Sequence, residues 1–186
     1  MDAIEALRRS LERSEVIRIK GYHYFVHPVS DGIPALDPAL LDGIAAEIAG
    51  RVDGGFDRIL TVEALGIPVA TALSLRLGKP LTIVRKKKYG LPGEVAVPSS
   101  TGYATHTLYL NGVGKGDRVL FVDDVLSTGG TLRAVAEAVR RAGAVLGEVL
   151  VVIEKGPNRR KLEGELGIEI KSLVKVEMKD GKVVAR

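Results

Sequence analysis

Two adjacent carboxylates, Asp123 and Asp124, follow an apolar run and stand just before a small, hydroxyl-rich turn at residues 127–131. If that turn opens a helix, its backbone amides and the helix dipole behind them would bind a phosphate dianion. Gly129 and Gly130 would let the backbone approach the phosphate closely. The carboxylates would repel the phosphate, so they suit the neutral hydroxyls of a sugar or a metal ion. The stretch therefore predicts a site for one ligand that carries a terminal phosphate and a vicinal diol.

Two rival interpretations fit this stretch less well. The first is a nucleotide-binding loop, but the P-loop pattern Gly-x4-Gly-Lys-Ser/Thr and the dinucleotide fingerprint G-x-G-x-x-G are both missing here. The second is purely structural: the acids cap a helix and the glycines form a tight turn, which suits a lone Asp-Asp pair. It accounts poorly for thirteen residues in this order, from 119 to 131.

The elements that position the two acids have the pattern of a parallel sheet. Continuous apolar runs alternate with helical patterns, and such strands are typical of a sheet that is covered on both faces. Ligands of these sheets bind beyond the carboxyl ends of the strands, which is where the acids stand. The runs are residues 58–62, 81–84, 119–122 and 149–153, with helices predicted at 67–77 and 131–142.

The remaining segments are predicted as follows. Helical spacing of apolar residues marks residues 1–13 and 40–48, and two strands at 168–178 and 182–184 are joined by a hairpin turn. Residues 22–38 are rich in proline and aromatic residues and are predicted to be irregular. Residues 86–107 have little apolar periodicity and are predicted to form a long loop, of the kind that often serves as a lid. No repeat or linker divides residues 1–186, so one domain is expected.

Composition excludes several classes of site and partner. The chain has no cysteine, which excludes disulfides, thiolate metal ligands and cysteine nucleophiles, and its three histidines are too scattered for a zinc cluster. No apolar run reaches the roughly 18 residues that cross a bilayer, and the N-terminus does not resemble a secretory signal. We therefore expect a cytoplasmic protein without a membrane partner. The net charge of +4 suits phosphate ligands, but no long basic stripe with aromatic residues predicts nucleic-acid binding.

The motif at 119–131 resembles the phosphoribosyl-diphosphate signature of type I phosphoribosyltransferases. The resemblance spans roughly residues 24–161 and is closest to purine enzymes of the adenine and archaeal hypoxanthine/guanine type. It implies an α/β fold with a central parallel sheet flanked by helices, a small hood and a flexible loop. It also implies that the two acids face the ribose 2′- and 3′-hydroxyls while the turn holds the 5′-phosphate. The implied ribose and phosphate residues are Asp123, Asp124, Val125, Leu126, Ser127, Thr128, Gly129, Gly130 and Thr131.

Four further segments are similar to other parts of the family. Residues 62–67 resemble its diphosphate-binding loop. Residues 85–93 resemble a basic element that supplies cations to diphosphate, in some members across a dimer interface. The segment around Tyr103 resembles the catalytic loop, and residues 25–28 resemble part of the hood that receives the base. The resemblance thus implies catalytic roles for Asp123, Asp124 and Tyr103, diphosphate contacts from Glu63, Ala64, Leu65, Gly66, Arg85, Lys86 and Lys88, and base contacts from Phe25, Val26 and His27.

The implied reaction transfers ribose 5-phosphate from phosphoribosyl diphosphate to hypoxanthine or guanine, and releases diphosphate. Magnesium would be held by substrate oxygens and water, as this ion prefers, with no direct protein side chain. Two positions depart from the family, because Gly102 replaces the glutamate of adenine enzymes and Ser127 replaces the aspartate of another hypoxanthine class. The group that manages the purine proton is therefore not identified.

Several alternatives stay open at the level of sequence. The base could be adenine, or a pyrimidine such as orotate or uracil, since the hood determines this choice. A non-catalytic sensor of phosphoribosyl diphosphate is a further alternative, although no segment remains for a DNA-binding module and both acids are intact. Glu63 could be a buried hydrogen-bonding partner instead of a substrate contact, and His27 and His106 could be structural or surface residues. By analogy with similar proteins, a homodimer is expected.

Overall fold

The computed structural model of the chain describes residues 2–19, 21–100 and 105–186. Its helices are α1 (Ala3–Glu12), α2 (Pro28–Asp31), α3 (Pro38–Ala49), α4 (Gly66–Leu77), α5 (Gly130–Arg141) and α6 (Arg159–Leu166). Its strands are β1 (Glu15–Ile19), β2 (Tyr22–Val26), β3 (Arg58–Val62), β4 (Leu81–Val84), β5 (Val95–Ser100), β6 (Thr105–Leu110), β7 (Arg118–Leu126), β8 (Val145–Lys155), β9 (Ile170–Lys179) and β10 (Lys182–Ala185).

A six-stranded sheet with the order β10-β9-β8-β7-β3-β4 forms the centre of the fold. The strands β4, β3, β7, β8 and β9 are parallel to one another, and β10 pairs with β9 in the antiparallel direction. The predicted parallel sheet and the predicted C-terminal hairpin are therefore confirmed. In the hairpin, Asp180 and Gly181 both have positive φ values, as its tight turn requires.

Side chains of the central strands alternate between two hydrophobic cores, one on each face of the sheet. In β7, Leu120 and Val122 join the core that is covered by α1, α3 and α4. Val119 and Phe121 join the core that is covered by α5 and by the β5–β6 hairpin. Because successive residues of a strand point to opposite faces, this double burial explains why the strand reads as one continuous apolar run.

The segments that flank the sheet differ in part from the prediction. Residues 22–38 are not wholly irregular, since they contain β2 and α2, and β1 pairs with β2 as an antiparallel ribbon. This ribbon and α2 together occupy residues 15–31 and are called the hood below. The long loop predicted at 86–107 is also partly wrong, because β5 and β6 pair as an antiparallel hairpin.

The hairpin escaped prediction because its apolar alternation is short and is interrupted by proline and serine residues. Val97 and Ser99 of β5 are buried against the rest of the fold, whereas Pro98 between them is exposed. Proline is tolerated on such an edge strand, where its missing N–H has no ladder partner. The strands are thus specified by pairing with each other and by packing on α5, both of which are tertiary contacts. In the part of the chain that the structure describes, no helix has the length and apolar character to span a membrane.

Candidate active site

A cavity of about 320 Å³ lies at the carboxyl ends of β3, β7 and β8 and is bordered by the hood and by the β5–β6 hairpin. It collects most of the residues predicted for the site. All nine residues from Asp123 to Thr131 line it, together with Phe25, Glu63, Ala64, Leu65 and Lys86. Five predicted residues do not line it, namely Val26, His27, Gly66, Arg85 and Lys88. Tyr103, the predicted catalytic tyrosine, lies outside the described residues.

The two acids lie in the C-terminal half of β7, which ends two residues later at Leu126, just before the glycine-rich turn. The Asp123 side chain is buried, and its Oδ1 accepts a hydrogen bond from the Asp124 backbone N at 3.1 Å. Burial raises the pKa of Asp123 well above its usual value, and the charge of Asp124 raises it further. Burial also raises the pKa of Asp124. The site therefore holds two poorly solvated carboxyl groups whose charged forms would be stabilised by hydrogen-bond donors or by a cation.

The phosphate turn, defined as residues 127–131, joins β7 to α5. Gly129 is the N-cap residue of α5, with a φ of 80°. No side chain caps the start of this helix at that position. A Cβ on Gly129 would lie 2.6 Å from Leu162 Cδ2, and one on Gly130 would collide with the carbonyl group of Ser100. The glycines were predicted to admit the phosphate itself. The structure gives a further reason for them, since the space that a side chain would need is filled by α6 and by the end of β5.

The predicted diphosphate loop spans residues 62–67, and its middle part, residues 63–65, connects β3 to α4. The Glu63 carboxylate accepts a hydrogen bond from the Lys86 backbone N, and its Oε2 lies 2.6 Å from Arg85 Nε. Arg85 therefore points at Glu63 and not into the cavity, whereas Lys86 lines the cavity and its charge lowers the pKa of Asp123. The Glu63–Ala64 peptide bond is cis.

The hood contributes aromatic and acidic groups to the cavity. The rings of Tyr24 and Phe25 are stacked with centroids 6.4 Å apart, and both residues line the cavity. The carboxylate of Asp31 accepts hydrogen bonds from Tyr24 Oη at 2.5 Å, Ser30 Oγ at 2.7 Å and the His27 backbone N at 3.0 Å. Lys155, at the end of β8, lies across the cavity rim with its Nζ 5.4 Å from the Phe25 ring centroid.

His27 belongs to the scaffold of the hood. Its Nδ1 accepts a hydrogen bond from the Val29 backbone N at 3.2 Å, which caps α2, and its Nε2 lies 2.9 Å from Ser10 Oγ. Because Nδ1 is the acceptor, the proton belongs on Nε2 and is donated to Ser10, whose hydroxyl donates in turn to the Leu7 carbonyl. Burial lowers the pKa of His27 to about 4. The ring is therefore neutral at neutral pH.

Several cavity residues were not identified from the sequence. Lys155 could have been found, since it is the last residue of a buried strand, at the edge where ligands bind. Asp31 had no such signal, because it follows a segment without periodicity. The other cavity residues that were not predicted as site residues are Tyr24, Ser30, Val62, Ser99, His106, Leu108, Phe121, Leu132 and Val151.

Comparisons with known proteins agree with this geometry. The sequence model of the phosphoribosyl transferase domain family matches residues 36–179. A hypoxanthine/guanine phosphoribosyltransferase of Methanosalsum zhilinae is 51% identical over 97% of this chain and 95% of its own length. One from Methanohalobium evestigatum is 48% identical over 98% of this chain and 96% of its own length. The crystal structure of adenine phosphoribosyltransferase from Thermoanaerobacter pseudethanolicus superimposes with a TM-score of 0.75 at 29% identity, covering 92% of this chain and 99% of that one. The chain belongs to the phosphoribosyltransferase family.

Proposed function

We propose that the chain is a purine phosphoribosyltransferase of nucleotide salvage. It transfers ribose 5-phosphate from phosphoribosyl diphosphate to hypoxanthine or guanine and releases diphosphate. The observation that carries the proposal is the continuity of Asp123, Asp124 and the phosphate turn along one wall of a single cavity. Relatives that bear the hypoxanthine/guanine name are 48% and 51% identical over nearly the whole chain, and they support this choice of base.

The activated sugar is proposed to lie along this wall. Asp123 and Asp124 accept hydrogen bonds from the ribose hydroxyls, which are neutral donors and carry no charge to repel. The 5′-phosphate lies in the phosphate turn, where the backbone amides at the start of α5 and the helix dipole favour an anion. Because the two carboxyl groups are buried, water solvates them poorly. The ribose hydroxyls would donate the hydrogen bonds that water does not supply.

The leaving group is proposed to lie at the loop of residues 63–65. Lys86 lines the cavity beside this loop and would offset the negative charge that develops on diphosphate as the anomeric bond breaks. Among the described residues, no group of three or more His, Asp or Glu side chains converges as a metal cage. The nearby acids Asp123 and Asp124 nevertheless suit a cation that arrives with the sugar diphosphate and keeps water ligands. When bound, Mg²⁺ would neutralise charge on the diphosphate oxygens.

The base is proposed to lie against Phe25 and beside Lys155, whose Nζ also donates a hydrogen bond to the His23 carbonyl oxygen. An ammonium group can only donate hydrogen bonds, so Lys155 complements the 6-oxo acceptor of hypoxanthine or guanine better than the 6-amino donor of adenine. The carboxylate of Asp31 can only accept when it is ionised, and it complements the ring N–H and amino donors of the oxopurines. Phe25 supplies an apolar surface for the ring system.

Two further proposals concern the assembly. The basic segment that contains Lys86 also exposes Tyr89 and Leu91, which are 48% and 55% accessible. Exposed aromatic and aliphatic residues beside cations suit a protein interface, and the resemblance to dimeric enzymes supports a homodimer.

We also propose that the enzyme acts in the cytoplasm as one domain, with Tyr103 close to the reacting atoms.

The proposal is tested by a panel of bases. Purified chain is incubated with phosphoribosyl diphosphate, Mg²⁺ and hypoxanthine, guanine, xanthine, adenine, uracil or orotate, and diphosphate release is measured. Turnover with hypoxanthine and guanine is expected. Turnover with adenine alone would favour the activity named for the Thermoanaerobacter structure. Binding of the sugar diphosphate without turnover on any base would instead indicate a sensor.

The role of Lys155 is tested in the same assay with Lys155→Met. Loss of a charged donor to a buried acceptor should lower kcat/KM for hypoxanthine and guanine by roughly 10- to 100-fold. Lys182→Met is the matched control, because Lys182 is exposed on β10. Unchanged kcat/KM for both oxopurines in Lys155→Met would contradict the assignment.

A further inference from the structure

The phosphate turn is held from behind by two side chains that do not line the cavity. Asn158 Nδ2 donates a hydrogen bond to the Ser127 carbonyl oxygen at 2.9 Å. Arg133 Nη1 donates to the Thr128 carbonyl oxygen at 3.0 Å. Consecutive carbonyl groups of the turn are thus each fixed by a side chain from a different helix, with Asn158 at the start of α6 and Arg133 in α5.

Fixing these carbonyl groups also fixes the amides that share their peptide units. The cis peptide bonds of the described chain are Ile33–Pro34 and Glu63–Ala64, so both peptide units of the turn are trans. In a trans peptide the C=O and N–H groups point in opposite directions. The N–H groups of Thr128 and Gly129 therefore point away from Asn158 and Arg133. That direction is the cavity side, which Thr128 and Gly129 themselves line.

One face of α6 provides this support. Asn158, Leu162 and Glu165 follow one another at intervals of four and three residues, so they lie on the same side of the helix. Leu162 fills the space beside Gly129 that a Cβ would need. Glu165 Oε2 accepts a hydrogen bond from Arg133 Nε at 2.7 Å, and so it holds the arginine that in turn holds Thr128.

We infer that Asn158 and Arg133 are positioning residues that aim two backbone amides of the phosphate turn at the 5′-phosphate of the substrate. Glu165 serves the same purpose through Arg133. The inference rests on the proposed function, because it takes the 5′-phosphate as the ligand of this turn. Donors that are already oriented spend little free energy on ordering when the ligand binds. Loss of the support should therefore weaken binding of the 5′-phosphate and leave binding of the base and of diphosphate unchanged.

The test uses Asn158→Ala and Asn158→Asp in the full chain. The aspartate has the shape of asparagine but presents a negatively charged oxygen to the Ser127 carbonyl, so it removes the donor and adds a charge, whereas the alanine removes the donor alone. Both variants should raise the Kd for ribose 5-phosphate and the KM for phosphoribosyl diphosphate roughly 10-fold, the usual scale for one hydrogen bond to a charged group. The KM for hypoxanthine and the Kd for inorganic diphosphate should stay within about 2-fold of wild type, since neither ligand contacts the turn.

Two further variants make the test independent of one side chain. Glu165→Gln leaves Arg133 in place but weakens its ion pair, so a smaller rise in the ribose 5-phosphate Kd is expected. In the wild type, the Arg133 guanidinium donates hydrogen bonds to both Thr128 and Glu165. Arg133→Lys keeps the positive charge, but its single ammonium group does not reproduce this two-pronged geometry. It should weaken ribose 5-phosphate binding more than Glu165→Gln does. Arg160→Ala, at an exposed position of the same helix, is the control and should bind like wild type.

The outcomes separate this inference from the proposed function. Wild-type affinity for ribose 5-phosphate in both Asn158 variants would overturn the inference. A parallel loss of affinity for ribose 5-phosphate, inorganic diphosphate and hypoxanthine, together with a lower Tm, would also overturn it, since that pattern marks general destabilisation. If the wild-type chain neither binds ribose 5-phosphate nor turns over any base, the proposed function fails, and the ligand assigned to the turn fails with it.

Discussion

The carboxylate of Asp123 lies against the backbone of Gly66 at the start of α4. A Cβ built on Gly66 would stand 2.7 Å from Asp123 Oδ1, which is closer than side-chain carbons come to such atoms, and it would also collide with Thr61 Oγ1. Gly66 does not line the cavity, although it was predicted to contact diphosphate. Its lack of a side chain instead lets the first turn of α4 pack directly on the acid that we assign to the ribose.

Gly66→Ala is therefore expected to lower activity by displacing Asp123. A shift of the carboxylate by a fraction of an ångström to one ångström should lower kcat/KM for phosphoribosyl diphosphate by up to roughly 100-fold. The measurement is steady-state kinetics with hypoxanthine. Gly164→Ala in α6 is a matched control, because a Cβ added there would have no atom within 4 Å. The control should keep its activity and gain up to about 1 kcal/mol of stability. Wild-type kinetics in Gly66→Ala would contradict the prediction.

Asp123→Asn should separate activity from stability. Burial raises the pKa of Asp123 in the folded chain, so the folded state holds this proton more tightly than the unfolded state does. The resulting stabilisation is present at low pH and is lost as the pH rises through the folded pKa. At pH 7, well above the ordinary pKa of an aspartate, this stabilisation is wholly or partly lost, so the neutral amide, which does not titrate, should raise Tm or leave it unchanged. Turnover should fall roughly 100- to 1,000-fold, because the contact to the ribose is weakened. A Tm that falls along with the turnover would contradict this.

The sequence allowed the centre of the molecule to be predicted but not its periphery. The run from Val119 to Leu126 is largely buried and its apolar residues alternate between the two cores, so its identity as a central parallel strand is visible in its composition alone. The acids and the phosphate turn follow from their position at the end of that strand. The β5–β6 hairpin has no such signature, since Ser99 is buried and Pro98 is exposed.

The support of the site was harder to predict than the site itself. The α6 residues that support the phosphate turn are distant from it in sequence, with 31 positions separating Asn158 from Ser127. The roles of Asn158, Leu162 and Glu165 depend on how α6 packs against α5. Asp31 and Lys155 meet at one cavity only because the hood folds over the end of β8. A sequence pattern records which face of an element is apolar, but it does not record which elements meet. The same holds for Gly66 and Arg85, which were predicted to contact diphosphate and do not line the cavity.

His27 should make stability depend on pH in a defined window. Burial lowers the pKa of His27 from 6.5 to about 4, so between these values the unfolded chain binds a proton that the folded chain does not. Stability is therefore lost as the pH falls from 6.5 towards 4, by about 3 kcal/mol at most. His27→Asn keeps an acceptor for the cap of α2 but cannot titrate. Urea unfolding at pH 7, 5.5 and 4 should show the stability difference between the two proteins narrowing by about that amount. Parallel curves would contradict the prediction.

Glu63→Gln should distinguish a positioning role for Glu63 from direct contact with the reacting atoms. The carboxylate joins the diphosphate loop to the basic segment, because it contacts both Arg85 Nε at 2.6 Å and the Lys86 backbone N. Glutamine keeps an acceptor for the backbone N–H of Lys86 but loses the ion pair. The Arg85 side chain is 41% exposed, so solvent screening keeps the loss small, at about 1 kcal/mol or less.

The expected consequence of Glu63→Gln is a rise in the KM for phosphoribosyl diphosphate of roughly 3- to 5-fold, since Lys86 would be held less firmly beside the leaving group. The turnover number should change little, because the chemistry at the anomeric carbon does not involve this carboxylate. Glu137→Gln on α5 is the matched control, as its ion pairs with Arg140 and Arg141 lie on the exposed face of that helix. If Glu63→Gln instead turned over at least roughly 100-fold more slowly, with the control unchanged, Glu63 would have to contact the substrate where the bond breaks.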